Sequence, residues 1–96
     1  MSFSESDALF EIIVSNTARK SAKEMPDNLK AKLIDLLDIL ERTAFPVEEY
    51  DIKKLRGLEN TYRVRLGNWR VIYKVDFLSH KIIIIKIAPR KSAYRK

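Results

Sequence analysis

The sequence predicts a single α+β domain over residues 1–96, in the order β-α-α-β-β-β. The sheet is expected to be antiparallel, with a two-helix hairpin packed on one face. Three observations lead there. One stretch repeats leucine at helical spacing. Three β-rich segments follow closely, the first two split by Gly67-Asn68. With 96 residues, the chain has room for one hydrophobic core.

The elements follow in order. "ALFEIIVS", residues 8–15, is rich in β-branched and aromatic residues and reads as a strand. Asn16 or Thr17 is a candidate cap for a short helix over 18–24, which Pro26 ends. Asp27 is a candidate cap for the next helix, over 28–42. There Leu29, Leu33, Leu36, Leu37 and Leu40 form one apolar stripe, which marks a core-facing surface. Residues 43–60 contain Pro46, Gly57 and mixed charges, and read as a loop crossing to the sheet. "TYRVRL" (61–66) and "WRVIYKV" (69–75) make a hairpin around a two-residue primed turn. "KIIIIKIA" (81–88) is nearly all apolar and reads as a central strand covered on both faces. A basic tail, "PRKSAYRK", follows.

Composition narrows the function. There is no cysteine, which excludes disulfides, thiolate zinc sites and a cysteine nucleophile. No window is apolar and long enough to span a bilayer, and the acidic N-terminus lacks the basic start of a secretory signal. A cytoplasmic setting and no membrane partner are expected. The net charge of +6 is uneven: residues 1–48 balance at −3 and residues 49–96 at +9. A basic half on so small a domain points to a polyanion, most often nucleic acid.

The hairpin concentrates that charge. Strand side chains alternate between faces. With Leu66 opposite Trp69, Arg65 falls opposite Arg70. Tyr62, Val64, Leu66, Trp69, Val71, Tyr73 and Val75 then share an apolar face toward the helices. Arg63, Arg65, Arg70, Ile72 and Lys74 share the other. Like charges directly across a ladder destabilise it, and Glu59 and Asp76 lie too far along the strands to neutralise the cluster near the turn. Solvated arginines fanning into water would be the bland reading. An adverse pair with no carboxylate between favours an anion site, because the guanidinium fork matches phosphate oxygens. In a meander, the end of strand 81–88 returns beside Trp69 and Arg70, which brings Arg90 and Tyr94 toward Arg65 and Arg70.

Such a site suits RNA cleavage by the neighbouring 2′-hydroxyl. Arginines would stabilise the charge of the phosphorane, often the largest contribution to such catalysis. His80, the single histidine, lies at the far end of the hairpin and reads as a surface loop residue. Tyr94, among guanidiniums, is the remaining candidate for proton transfer. No metal or other cofactor is invoked.

"DIKKLRGLENTYRVRLGNWRVIYKV", followed by "APRKSAYRK", resembles the RelE toxins of the RelE/ParE toxin–antitoxin superfamily. The K-L-R-G, Y-R-V-R, G-x-W-R-V-I-Y and R-x-x-x-Y elements stand in that family's order across residues 51–95. The resemblance implies a ribosome-dependent endoribonuclease that cuts the mRNA codon in the A site without a metal, leaving a 2′,3′-cyclic phosphate. It implies that Arg63 and Arg65 stabilise the phosphate, with Arg70 as a further cation. It implies transition-state or leaving-group work for Arg90, and base stacking or proton transfer for Tyr94. Lys53, Lys54 and Arg56 become candidates for ribosomal RNA contact. Lys74, Lys91 and Arg95 join them on charge. Some relatives carry a histidine where Pro89 stands, so the general base is not assigned. The resemblance further implies a RelB-like antitoxin, an acidic or amphipathic segment in a hetero-oligomeric complex. A groove beside the helices would agree with it. The alternatives are a ParE-like inhibitor of DNA gyrase and a non-catalytic RNA-binding module.

Overall fold

The computed structural model describes residues 9–90. The elements are β1 (Glu11–Val14), α1 (Asn16–Ala22), α2 (Asp27–Leu40), β2 (Ile52–Lys54), β3 (Thr61–Leu66), β4 (Trp69–Asp76) and β5 (Lys81–Pro89). The five strands form one sheet in the order β1-β5-β4-β3-β2. The pairs β2–β3, β3–β4 and β4–β5 are antiparallel, and β1 joins the edge parallel to β5. No helix among the described residues is long and apolar enough to cross a membrane.

Both helices cover one face of the sheet, α1 over β5 and α2 against β3. Leu29, Leu33, Leu36 and Leu40 of α2 are buried against Val64, Val71, Tyr73, Ile82 and Ile84. Leu37 of the same stripe is only partly buried at its margin. The caps differ from expectation by one or two residues. Ser15, not Asn16 or Thr17, caps α1: its hydroxyl accepts from Ala18 N at 3.1 Å. Pro26 holds the cap position of α2, and Asp27 sits in the first turn, where a carboxylate favours the helix dipole without a capping bond.

Two differences in the sheet matter for the site. The crossing segment contains β2, whose Ile52, Lys53 and Lys54 pair with Val64, Arg63 and Tyr62. A three-residue edge strand with two lysines carries too little apolar alternation to announce itself, and such charge is common on exposed edges. The second difference lies in β5. Tyr73 pairs with Ile84 while Ile72 pairs with Lys86, so Ile85 is an extra residue, a β-bulge. The bulge resets side-chain parity. Ile82, Ile84 and Ile87 enter the core, and Ile85 and Lys86 are both exposed. The strand is central but covered on one face only. Its apolar run reflects a bulge and a β-branched outer face rather than burial on both sides.

Tyr73 closes the other end of the core. It is fully buried, its hydroxyl donates to Ala44 O at 2.6 Å, and burial pushes its pKa well above the usual phenol value.

Candidate functional site: a cationic sheet face

The hairpin turn sets the site. Gly67 has φ +59°, while Asn68 stays on the negative side, the pattern of a two-residue type II′ turn. A Cβ on Gly67 would lie 3.1 Å from Leu29 Cδ2, so α2 packs directly beneath the turn. The pairing is the one expected: Leu66 opposite Trp69, Arg65 opposite Arg70, Val64 opposite Val71, Arg63 opposite Ile72. Residues paired in this way share a face, with Cα atoms about 5 Å apart.

The outer face can therefore be followed row by row. Nearest the turn, Arg65 lies beside Arg70, which lies beside Ala88. The next row is Lys53, Arg63, Ile72 and Lys86. At the far end Lys74 lies beside Ile83. β5 returns to the turn, where Pro89 pairs with Trp69 and Arg90 N donates to Asn68 O at 2.6 Å. The structure thus brings Arg63, Arg65, Arg70, Lys53 and the Arg90 backbone to one end of one face. Lys74 shares the face four residues from Arg70, about 13 Å along the strand. Lys54 pairs with Tyr62 and takes the opposite face, and Arg56 lies in the turn beyond β2, away from the hairpin tip. Tyr94, Lys91 and Arg95 lie outside the described residues.

The arginines differ in setting. Arg63 is held largely within the structure, its side chain 16% exposed, and its Nε is buried without a hydrogen-bond partner. Arg65 is half exposed, and Arg70 is intermediate. The cluster is not free of carboxylates, contrary to expectation. Asp51, the residue before β2, places Oδ1 3.9 Å from an Arg63 terminal nitrogen and Oδ2 3.6 Å from Arg65 Nε. Its carbonyl accepts from Arg65 N at 3.2 Å, which pins Asp51 opposite Arg65. Asp51 was hidden because β2 was hidden. Lys86 was hidden for a related reason: a regular strand would have turned it toward the core.

Beside Asp51 a groove of about 530 Å³ runs between α2 and the hairpin turn. It fulfils the expectation of a groove beside the helices, but its walls are acidic as well as apolar. Asp35, Asp38, Glu49 and Asp51 line it with Ile39 and Leu66, and Arg65 stands at its rim. Tyr50 in the same wall has its pKa raised by burial and by the negative charges of Asp35 and Glu49. His80 is not a free surface residue. It is half buried at the opposite end of the sheet, stacked on Phe10 with ring centroids 4.0 Å apart. Among the described residues no group of three histidines or carboxylates converges as a metal site.

The model of the ParE toxin of the parDE type II toxin–antitoxin system matches residues 12–94. A putative toxin RelE1 of Methanocaldococcus jannaschii is 36% identical over 86 residues, covering 90% of this chain and 96% of the relative. The chain belongs to the RelE/ParE toxin family. Among solved RelE structures, the RelE–RelB complex of Pyrococcus horikoshii superposes at TM-score 0.78 with 32% identity, over 85% of this chain and 96% of that one. The RelB–RelE complex of Methanococcus jannaschii superposes at 0.75 with 27% identity, over 85% and 94%. The chain is thus a RelE-type toxin in fold and family. Of the quoted motifs of the RelE resemblance, Y-R-V-R and G-x-W-R-V-I-Y fall on the hairpin that carries the arginine face.

Proposed function

We propose that this RelE-type toxin is a ribosome-dependent endoribonuclease that cuts mRNA through 2′-hydroxyl attack. The observation that carries the reading is the pairing of Arg65 with Arg70 on a face that also holds Arg63, at the end to which Arg90 returns. In the reaction the 2′-oxygen bonds to the adjacent phosphorus, and the P–O5′ bond breaks. The products are a 2′,3′-cyclic phosphate and a 5′-hydroxyl. Negative charge grows on the non-bridging oxygens as the phosphorane forms. Fixed guanidiniums aimed at those oxygens lower the barrier because they need no reorganisation when the charge appears. Arg63, already held in place, supplies a fixed part of that field. Arg65 supplies an exposed fork and Arg70 a partly exposed one, and Arg90 is assigned to the leaving oxygen. Tyr94 is the candidate for proton transfer or for stacking on the mRNA base.

The partner in this reading is a RelB-like antitoxin, as in the Pyrococcus horikoshii and Methanococcus jannaschii complexes. A free toxin with these activities would be lethal to its own cell, so a partner that covers the arginine face is part of the proposal.

The test is expression from a tight promoter, with mRNA ends mapped with and without ribosomes. Codon-phased cuts that need the ribosome support the reading. Growth arrest without such cuts would falsify it. The second reading, a gyrase inhibitor, is favoured by the match to the ParE family model. It predicts inhibition of supercoiling in vitro and indifference to Tyr94→Phe.

A further inference from the structure

Two guanidiniums of the proposed phosphate site share one carboxylate. Asp51 offers one oxygen to Arg63 and the other to Arg65, at 3.9 and 3.6 Å. A phosphodiester with two non-bridging oxygens would bridge the same pair of forks in the same manner. We propose that Asp51 is the internal counter-anion of the arginine site, occupying the charge position of an RNA phosphate and displaced when RNA binds. The proposal rests on reading the outer face as a phosphate site.

Four features support displacement over a fixed positioning role. Both separations exceed the roughly 2.7–2.9 Å of a charge-assisted hydrogen bond, so attraction holds the carboxylate without directional bonds. The Asp51 side chain is 55% exposed and has a path out into water. Its main chain is held separately, by the bond from Arg65 N to its carbonyl, so the side chain can leave without unpairing the strand. Arg63 cannot leave in its place: its side chain is mostly buried, and a charge so placed needs a nearby anion whether RNA is bound or not. Carboxylate and phosphodiester each carry one negative charge, so the exchange leaves the local charge of the site unchanged.

Displacement has a measurable signature. An isosteric Asp51→Asn removes the competitor and leaves the forks to the incoming anion. The probes are sodium pyrophosphate and a fluorescein-labelled RNA trinucleotide methylated at every 2′-oxygen, which cannot be cleaved. D51N is expected to bind both roughly threefold to fivefold more tightly at low salt, the size typical of exposed ion pairs. The gain should shrink as salt is raised, and should be lost in an Arg65→Ala background. Glu41→Gln makes the same change of net charge at the opposite end of the sheet, where the Glu41 carbonyl accepts from Phe10 N, and should give no comparable gain. Equal or weaker binding by D51N, an equal gain from E41Q, or no binding of either probe to either form overturns the proposal. Cleavage is not the readout, so the two readings fail separately. Tightening by D51N in a protein that cuts no mRNA leaves the counter-anion role standing and removes the nuclease. Cleavage without tightening does the reverse.

Discussion

The hydroxyl of Ser15 donates to the carbonyl of Ile85 at 3.0 Å and accepts from Ala18 N at 3.1 Å. One side chain thus caps α1 and satisfies the backbone at the β5 bulge. The bulge is what turns Lys86 outward and Ile87 inward. Ser15→Ala should therefore cost about 1–2 kcal/mol, combining a lost cap with a lost hydrogen bond. Urea denaturation measures the loss, and faster amide exchange at Ala18 would locate it.

Arg70→Ala should separate activity from stability. Its removal relieves a like-charge pair across the ladder, so the fold should gain a few tenths to about 1 kcal/mol. Ribosome-dependent mRNA cleavage should fall by about 100-fold or more, as for loss of one preorganised donor to a developing oxyanion. A variant that is both less stable and fully active would contradict the assignment of this face.

Tyr73→Phe leaves the Ala44 carbonyl without its buried donor. The expected cost is about 1–3 kcal/mol, read as a lower urea midpoint with an unchanged slope. Anion binding at the hairpin tip should be unaffected, because Tyr73 points to the opposite face.

Gly67→Ala puts a Cβ at φ +59° and 3.1 Å from Leu29 Cδ2. The left-handed backbone costs about 1 kcal/mol for a non-glycine residue, and Leu29 must also give way. Thermal unfolding should show a lower midpoint. A second change, Leu29→Val, would remove the contact but leave the backbone strain, and should not restore stability.

Asp76 gives a pH signature. Its Oδ1 accepts from the amides of Ser79 and Leu78, each at 3.1 Å. The hydrogen bonds from Ser79 hold its pKa below the ordinary 3.8 against an opposing desolvation, with lesser help from the Leu78 amide and the charge of Lys81. The folded state thus favours the ionised form. Its contribution is present above about pH 3.8 and fades as pH falls through the lower folded value. The stability difference between the wild type and Asp76→Ala should shrink between pH 5 and pH 3. A difference that is flat over that range would contradict this assignment.

What the sequence revealed of the fold depended on periodicity. The leucines of α2 and the alternation of β3 and β4 are long, regular signals, and the hairpin register followed from two turn residues. That register alone placed Arg65 against Arg70. The departures were all short or aperiodic. β2 is three residues long, and with it went Asp51. The β5 bulge breaks a period of two inside a run of isoleucines, where no polar residue marks the slip, and with it went Lys86. The parallel seat of β1 beside β5 is a long-range choice, made by packing rather than by local residue preference. His80 lies in the turn at the far end of the hairpin as expected, but its stacking on Phe10 was not legible because the two are distant in sequence.

The position of β5 bears on the order of assembly. It comes after the other four described strands in the sequence, yet it lies between β1 and β4, and the rows of the cationic face run through it. Until it emerges, β1 has no neighbour to pair with, and the bulge that orients Lys86 does not exist. Contacts of such long sequence separation form late and slowly. In the proposed reading, the cationic face of a nascent chain is therefore incomplete, and its chemistry unavailable, until β5 has been translated.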